Sequence, residues 1–249
     1  MTRVQLELPV GALNMPEQTI LRPPYDQELM PIAMRRLEVN NKGYPIPWFV
    51  DRNAPLKDGS PDFRIMDGKR FKLALRENRC WICGGKIMSG LYTFVAGPMC
   101  GINRTSSEPP CHSDCAVWAA RACPFLAVPK RIRDNVNMPK KYMQAGVGLQ
   151  RNPGVVMLWI TDEYKTFQPK IDEGLLIEMG KPTIVHWLCE GRAATRKEIE
   201  HSIETGIPFL LEVATKKGPV ACVELGRYIE RFLVYLPPEE PEQAERIMF

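Results

Sequence analysis

The sequence predicts an α+β protein: a cysteine-rich module joined to an antiparallel sheet and followed by C-terminal helices. Three observations carry this reading. Six of the eight cysteines, Cys80, Cys83, Cys100, Cys111, Cys115 and Cys123, fall within 44 consecutive residues. Apolar, β-rich runs crowd the stretch from 155 to 188. From 195 onward apolar residues recur at helical spacing behind a helix-start signature.

The chain has 249 residues, 45% hydrophobic and 25% charged, enough length and apolar content to bury a core. No run approaches the roughly 18 apolar residues of a membrane span. The first residues, MTRVQLELPVGALNMPEQ, lack the basic start and apolar stretch of a secretion signal. The expectation is a cytoplasmic protein with no membrane attachment. Disulfides are uncommon in that reducing setting, so clustered cysteines point to metal.

Residues 1–66 are expected to form a Pro-rich extended segment. Nine prolines lie between positions 1 and 63, and proline both breaks helices and pushes its predecessor toward extended backbone. YPIPWFV (44–50) reads as an edge strand and DGSPDF (58–63) as a turn. Asp67 can cap a helix over 68–78 with Phe71, Ala74, Leu75 and Asn78 on one side, opening a metal-binding module that spans 67–128.

Residues 129–154 hold few large apolar side chains and read as a basic linker. The GVG within it is followed by no helix pattern, and no GxxxxGK[ST] phosphate loop occurs. An α+β C-terminal domain is expected over 155–236. VVMLWIT (155–161), LLIEM (175–179) and TIVHWL (183–188) read as strands, with MGKP as a turn between the last two. Thr195 and Glu198 form a capping box that opens a helix to about Glu204. Gly206 is expected to end it, and Pro208 to begin another running to about Lys216. Pro219 starts a third, with Ala221, Leu225, Tyr228, Ile229, Phe232 and Leu236 on its buried side. Residues 237–249 read as a loose tail.

The motif that carries chemistry is split. CWIC supplies Cys80 and Cys83, and CHSDC supplies His112 and Cys115, together C-x2-C-x28-H-x2-C. A tight C-x2-C turn directs two sulfurs at one centre, and Gly84 and Gly85 suit it. A pair at i and i+3 comes naturally from the first turn of a helix, here over 113–122. Three thiolates and one imidazole are the donor set of a structural zinc. Cys111 and Cys100 remain possible substitutes for His112. With KIMSGLYTFVAGP read as a hairpin between the pairs, the arrangement resembles the treble-clef zinc fold.

The string CWICGG…YTFVAGPMCGINR…EPPCHSDCAVWAARACPFL resembles an uncharacterised family of bacterial and phage proteins. That family shares a C-x-x-C, GPMC, EPPxHxxCA and RACPFL framework. The resemblance extends upstream through GYPIPWFV and PDFRIMDG, and downstream through GRAATRKEIEHSIETG. The family commonly has Ser at the position of Cys111, which favours His112 as the ligand. The resemblance implies a folding unit and a site, and no activity.

Catalysis finds little support. Cys/His nucleophilic chemistry needs a thiolate and base free of metal. His186 and Cys189 repeat the H-x2-C spacing, but on an apparent strand, and His201 sits among charges. A treble-clef nuclease needs a further histidine near the hairpin, and residues 84–111 contain none.

Charge gives the remaining signal. The net charge is +4, yet residues 63–133 hold twelve Lys/Arg against four acids, a net +8. The candidate phosphate contacts are Lys69, Arg70, Lys72, Arg76, Arg79, Arg104, Lys130, Arg131, Arg133, Lys140 and Lys141, with Trp81, Tyr92 and Phe94 as candidate stacking rings. The expected function is a zinc-stabilised binding protein that engages nucleic acid or another polyanion. The alternatives are a phage-type or regulatory factor that binds a host protein, an acidic partner being the one its charge suits, and a metal-dependent nuclease.

Overall fold

The computed structural model describes residues 29–56, 58–127, 143–144, 152–169 and 174–239. The predicted contacts Lys130, Arg131, Arg133, Lys140 and Lys141 lie outside these, as do most of the linker and most of the tail.

In chain order the elements are β1 (Ile65–Met66), α1 (Gly68–Glu77), β2 (Tyr92–Ala96), α2 (Pro98–Asn103), β3 (Thr105–Ser106), α3 (Ser113–Ala122) and α4 (Pro124–Ala127). There follow β4 (Met143–Gln144), β5 (Val156–Thr161), β6 (Tyr164–Phe167), β7 (Leu176–Met179), β8 (Pro182–Cys189), β9 (Arg192–Ala193), α5 (Arg196–Lys217) and α6 (Pro219–Leu233). The fold is mixed α and β, with antiparallel sheets and C-terminal helices.

The central sheet runs β2-β5-β8-β9. Every residue of β5 is buried, which explains why VVMLWIT is apolar without alternation. Its pleat sends Val156 and Leu158 to one core, with Phe71, Ala74, Trp81, Val117 and Trp118. Met157 and Trp159 go to the other, with Ile102, Ile199, Ile203, Leu225 and Phe232. The sheet thus lies between a layer bearing α1, α3 and the CWIC turn and a layer bearing α2, α5 and α6.

Three connections differ from the expected ones. YTFVA does not fold back on its own neighbours: β2 pairs with β5, 60-odd residues away, because that pairing buries Phe94 and Thr93 completely. β7 does not pair with β8 across MGKP but joins a second sheet, β3-β7-β6. Finally, α5 runs unbroken through Gly206 and Pro208. Pro208 removes only the bond to the Glu204 carbonyl, and Glu204 is exposed, so water can take that role. Ile199 and Ile203 before the proline and Ala214 after it bury in the same core and hold one helix axis.

The described part of the N-terminal segment lies on the first layer. YPIPWFV makes single bridges rather than a strand, Val39 with Pro45 and Val50 with Met66. Its Phe49 stacks on Trp81 with centroids 5.0 Å apart, and Trp48 meets the same ring edge-on at 6.4 Å. No helix among the described residues is long and apolar enough to cross a membrane.

Candidate metal centre

Asp67 accepts hydrogen bonds from the Lys69 and Arg70 amides and starts α1, and Asn78 ends it in the left-handed conformation. That reversal delivers the chain into CWIC. The Cys80 amide donates to the Gly85 carbonyl at 2.7 Å and the Gly84 amide to the Cys80 carbonyl at 2.8 Å, closing a tight loop around the two thiols. Gly84 has φ +74°, and a Cβ there would lie 2.6 Å from the Trp48 ring. Only glycine satisfies both demands.

The second pair arrives on α3. His112 is its N-cap residue and Cys115 lies one turn on, while backbone bonds between Cys111 and Thr93 tie this entry to β2. Ligand atoms of Cys80, Cys83, His112 and Cys115 all lie within 4.8 Å of one another, arranged to hold a metal ion. Cys80 and Cys115 are fully buried, Cys83 nearly so and His112 partly.

The surroundings fit that use. Cys80 Sγ accepts from the amides of Cys83 at 3.5 Å and His112 at 3.3 Å, and Cys83 Sγ accepts from Gly85 at 3.4 Å. Amide donors aimed at sulfur favour thiolate. His112 Nδ1 faces Cys83 Sγ at 3.4 Å and Cys115 Sγ at 3.9 Å, while Nε2 lies 3.0 Å from the Lys86 carbonyl. A proton on Nε2 donated to that carbonyl leaves the Nδ1 lone pair for a metal, the usual division of labour in a ligating histidine.

The electrostatics of the four groups are strained when they have only one another. Burial opposes a thiolate at Cys80, yet hydrogen bonds from Cys111, Cys115, Cys83 and His112 outweigh it and hold that thiol far below its ordinary value. Hydrogen bonds with Cys80 and Cys83, with burial, drive Cys115 far upward. The same two sulfurs push His112 up to about 11. A cation at their centre relieves this crowding of negative sulfur.

Cys111 is buried beside Cys80 but is not one of the four, and burial pushes its thiol well up. Cys100 lies in α2, packed against the second core. Cys123 caps the end of α3. Sequence reasoning missed Arg36, whose guanidinium donates to the Cys83 carbonyl at 3.3 Å. It also missed Trp48, whose amide donates to the Ile82 carbonyl at 2.7 Å. Both come from the N-terminal segment, and no local spacing signals a partner more than 30 residues away.

The predicted basic contacts divide by environment. Lys69, Lys72 and Arg76 are exposed and, at i, i+3 and i+7, form one stripe on α1 opposite Phe71 and Ala74. Arg70 pairs with Asp67 at 3.4 Å, donates to the Trp48 and Val50 carbonyls and lies over the Trp48 ring. Arg79 pairs with Glu77 at 2.8 Å and donates to the Gly84 carbonyl at 3.1 Å. Arg104 is half-buried at the left-handed end of α2. Of the candidate stacking rings, Trp81 and Phe94 are buried at 1% and 0% exposure, which leaves Tyr92. His186 is half-buried and Cys189 buried on β8, and His201 is exposed on α5.

No family model, no curated protein and no solved structure matches the chain.

Proposed function

We propose that this chain is a zinc-stabilised binding protein whose basic surface beside the metal module engages nucleic acid or another polyanion. The donor set supports zinc over other divalent ions: three thiols and an imidazole are soft and borderline ligands, poorly suited to calcium or magnesium. A tetrahedral ion with bonds of ~2.3 Å to sulfur and ~2.0 Å to nitrogen spaces a sulfur from the nitrogen by roughly 3.5 Å. The 3.4 and 3.9 Å from His112 Nδ1 to the two sulfurs bracket that spacing. Four protein ligands fill a tetrahedron, so the ion has an architectural role and no open position for water. A cytoplasmic location belongs to the same proposal, since such a centre needs reduced thiols, and Cys80, Cys83 and Cys115 are in no disulfide.

The observation that carries the binding role is the α1 stripe. Arg70 and Arg79 are engaged with backbone carbonyls and acids, whereas Lys69 and Lys72 point to solvent next to Arg76. The test is binding of labelled single- and double-stranded oligonucleotides across a salt series. Neutralised phosphates release counterions, so affinity is expected to fall steeply as salt rises. Absence of binding at low salt, or binding indifferent to salt, overturns the reading.

A protein partner is the second reading, and one observation favours it. The outward side of α6 carries Val220 and Val223 at 73% and 58% exposure, and Val234 just past its end is 74% exposed. Recovery of one stoichiometric protein that survives nuclease treatment would support this reading over the first.

A further inference from the structure

A groove of about 840 Å³ opens between the α1 stripe and the segment that runs from the end of β5 into β6. Lys72 and Arg76 form one wall, one turn apart on α1, and Lys165 of β6 stands in the other. Tyr92 and Tyr164 lie between them in a T-shaped pair, centroids 4.9 Å apart and planes at 85°. Both rings are half-buried, and a T-shaped contact leaves ring faces for a third aromatic to cover. The walls are tied together, because the Tyr164 hydroxyl donates to Asn78 Oδ1 at 3.0 Å and Asn78 is the left-handed residue that ends α1. The groove is therefore a built feature of the junction between the two cores, where Leu75 and Tyr92 touch both.

Its charges are available. Arg76 shares an exposed pair with Glu77, but Lys72 and Lys165 are exposed and make no ion pair or side-chain hydrogen bond among the described residues. Asp162 and Glu163, which link β5 to β6, line the same groove. They count against a bare phosphate cluster or a sulfated polysaccharide as ligand. A strand of nucleic acid suits the mixture better: lysines for its phosphates, tyrosine faces for unpaired bases and carboxylates for base amino groups.

We infer that this groove is the binding site for single-stranded nucleic acid, held by Lys72 and Lys165 at the backbone and by Tyr92 and Tyr164 at the bases. The inference rests on the polyanion reading above and locates it. It takes Lys72, Arg76 and Tyr92 from the basic module and adds Tyr164 and Lys165, which lie about 70 to 90 residues further along the chain.

The experiment uses the full chain with fluorescently labelled poly(dT) and poly(U) oligonucleotides, read by anisotropy over a salt series. The double variant Lys72→Gln/Lys165→Gln changes two exposed side chains and should keep the wild-type melting curve. It is expected to weaken binding at least about tenfold and to flatten the salt dependence by ~0.7 per lost phosphate contact. Lys197→Gln, exposed on α5 and outside the groove, should bind like wild type. Photocrosslinking with a halogenated pyrimidine strand should attach at Tyr92 or Tyr164. If wild type binds but the groove variant binds equally well, the groove is wrong and the wider polyanion reading survives. Equal competition by heparin overturns single-stranded nucleic acid as the ligand. Failure of wild type to bind any nucleic acid at low salt overturns both.

Discussion

Replacing Gly84 by alanine tests how the metal loop is built. Two separate costs arise at that position. The backbone has φ +74°, where an L side chain loses roughly 1–2 kcal/mol. The added Cβ also lies 2.6–2.8 Å from three atoms of the Trp48 ring, too close to be tolerated without displacement. Trp48 has little room to yield: it meets Trp81 edge-on, carries the Arg70 guanidinium 5.6 Å above its ring and donates its amide to Ile82. Overpacking of this kind costs about 1–3 kcal/mol. The expected loss for Gly84→Ala is therefore ~2–5 kcal/mol.

A control separates the two costs. Gly90 has nearly the same φ, +71°, and nothing within 4 Å of an added Cβ, so Gly90→Ala should lose only the backbone part, about 1–2 kcal/mol. Equilibrium urea unfolding of metal-loaded protein measures both, with metal content determined on the same samples. Equal losses for the two variants would refute the claim that Trp48 packs on the loop. An unchanged Gly84→Ala would refute the left-handed backbone as well.

Three further outcomes are expected. Purified protein should carry about one zinc by elemental analysis; Cys83→Ser should lose it to a chelator far faster than wild type, while Cys111→Ser should retain it. Trp159→Ala should cost ~3–5 kcal/mol by denaturant unfolding, since it empties a fully buried site and orphans the Gly180 carbonyl that accepts from its indole at 2.9 Å. The Arg192 hydrogen bonds hold the Glu198 carboxyl at about 2, below its unfolded value of roughly 4.3. Its contribution is thus fully present above about pH 4.3 and disappears as pH falls toward 2, so Arg192→Gln should flatten acid unfolding within that window.

Much of the local structure was legible in the chain because its causes are local. Asp67 before KRFKLAL, Thr195 with Glu198 and Pro219 after Gly218 each mark a helix start through groups two or three residues apart, and each helix begins there. The C-x2-C and H-x2-C pairs are local in the same sense, and the four side chains do converge. The misreadings share an opposite cause. Gly206 and Pro208 cost a helix interior about 1 and about 3 kcal/mol, and burial of Ile199, Ile203 and Ala214 overrides them. MGKP looks like a hairpin turn, but β6 and β3 offer β7 a better pairing than β8 does.

By itself the sequence determined which side chains can bind metal, where most helices start, and that an apolar strand lies at about 155–161. These follow from donor chemistry, capping and apolar runs, which act over a few residues. Only the tertiary structure decided that Arg36 and Trp48 brace the metal loop, that α1's cations split into engaged and free, and that Tyr92 meets Tyr164 beside Lys72 and Lys165. Those juxtapositions come from β2 pairing with β5 and from the two faces of β5 collecting separate cores. Their energy lies in long-range burial, which no short window of residues encodes.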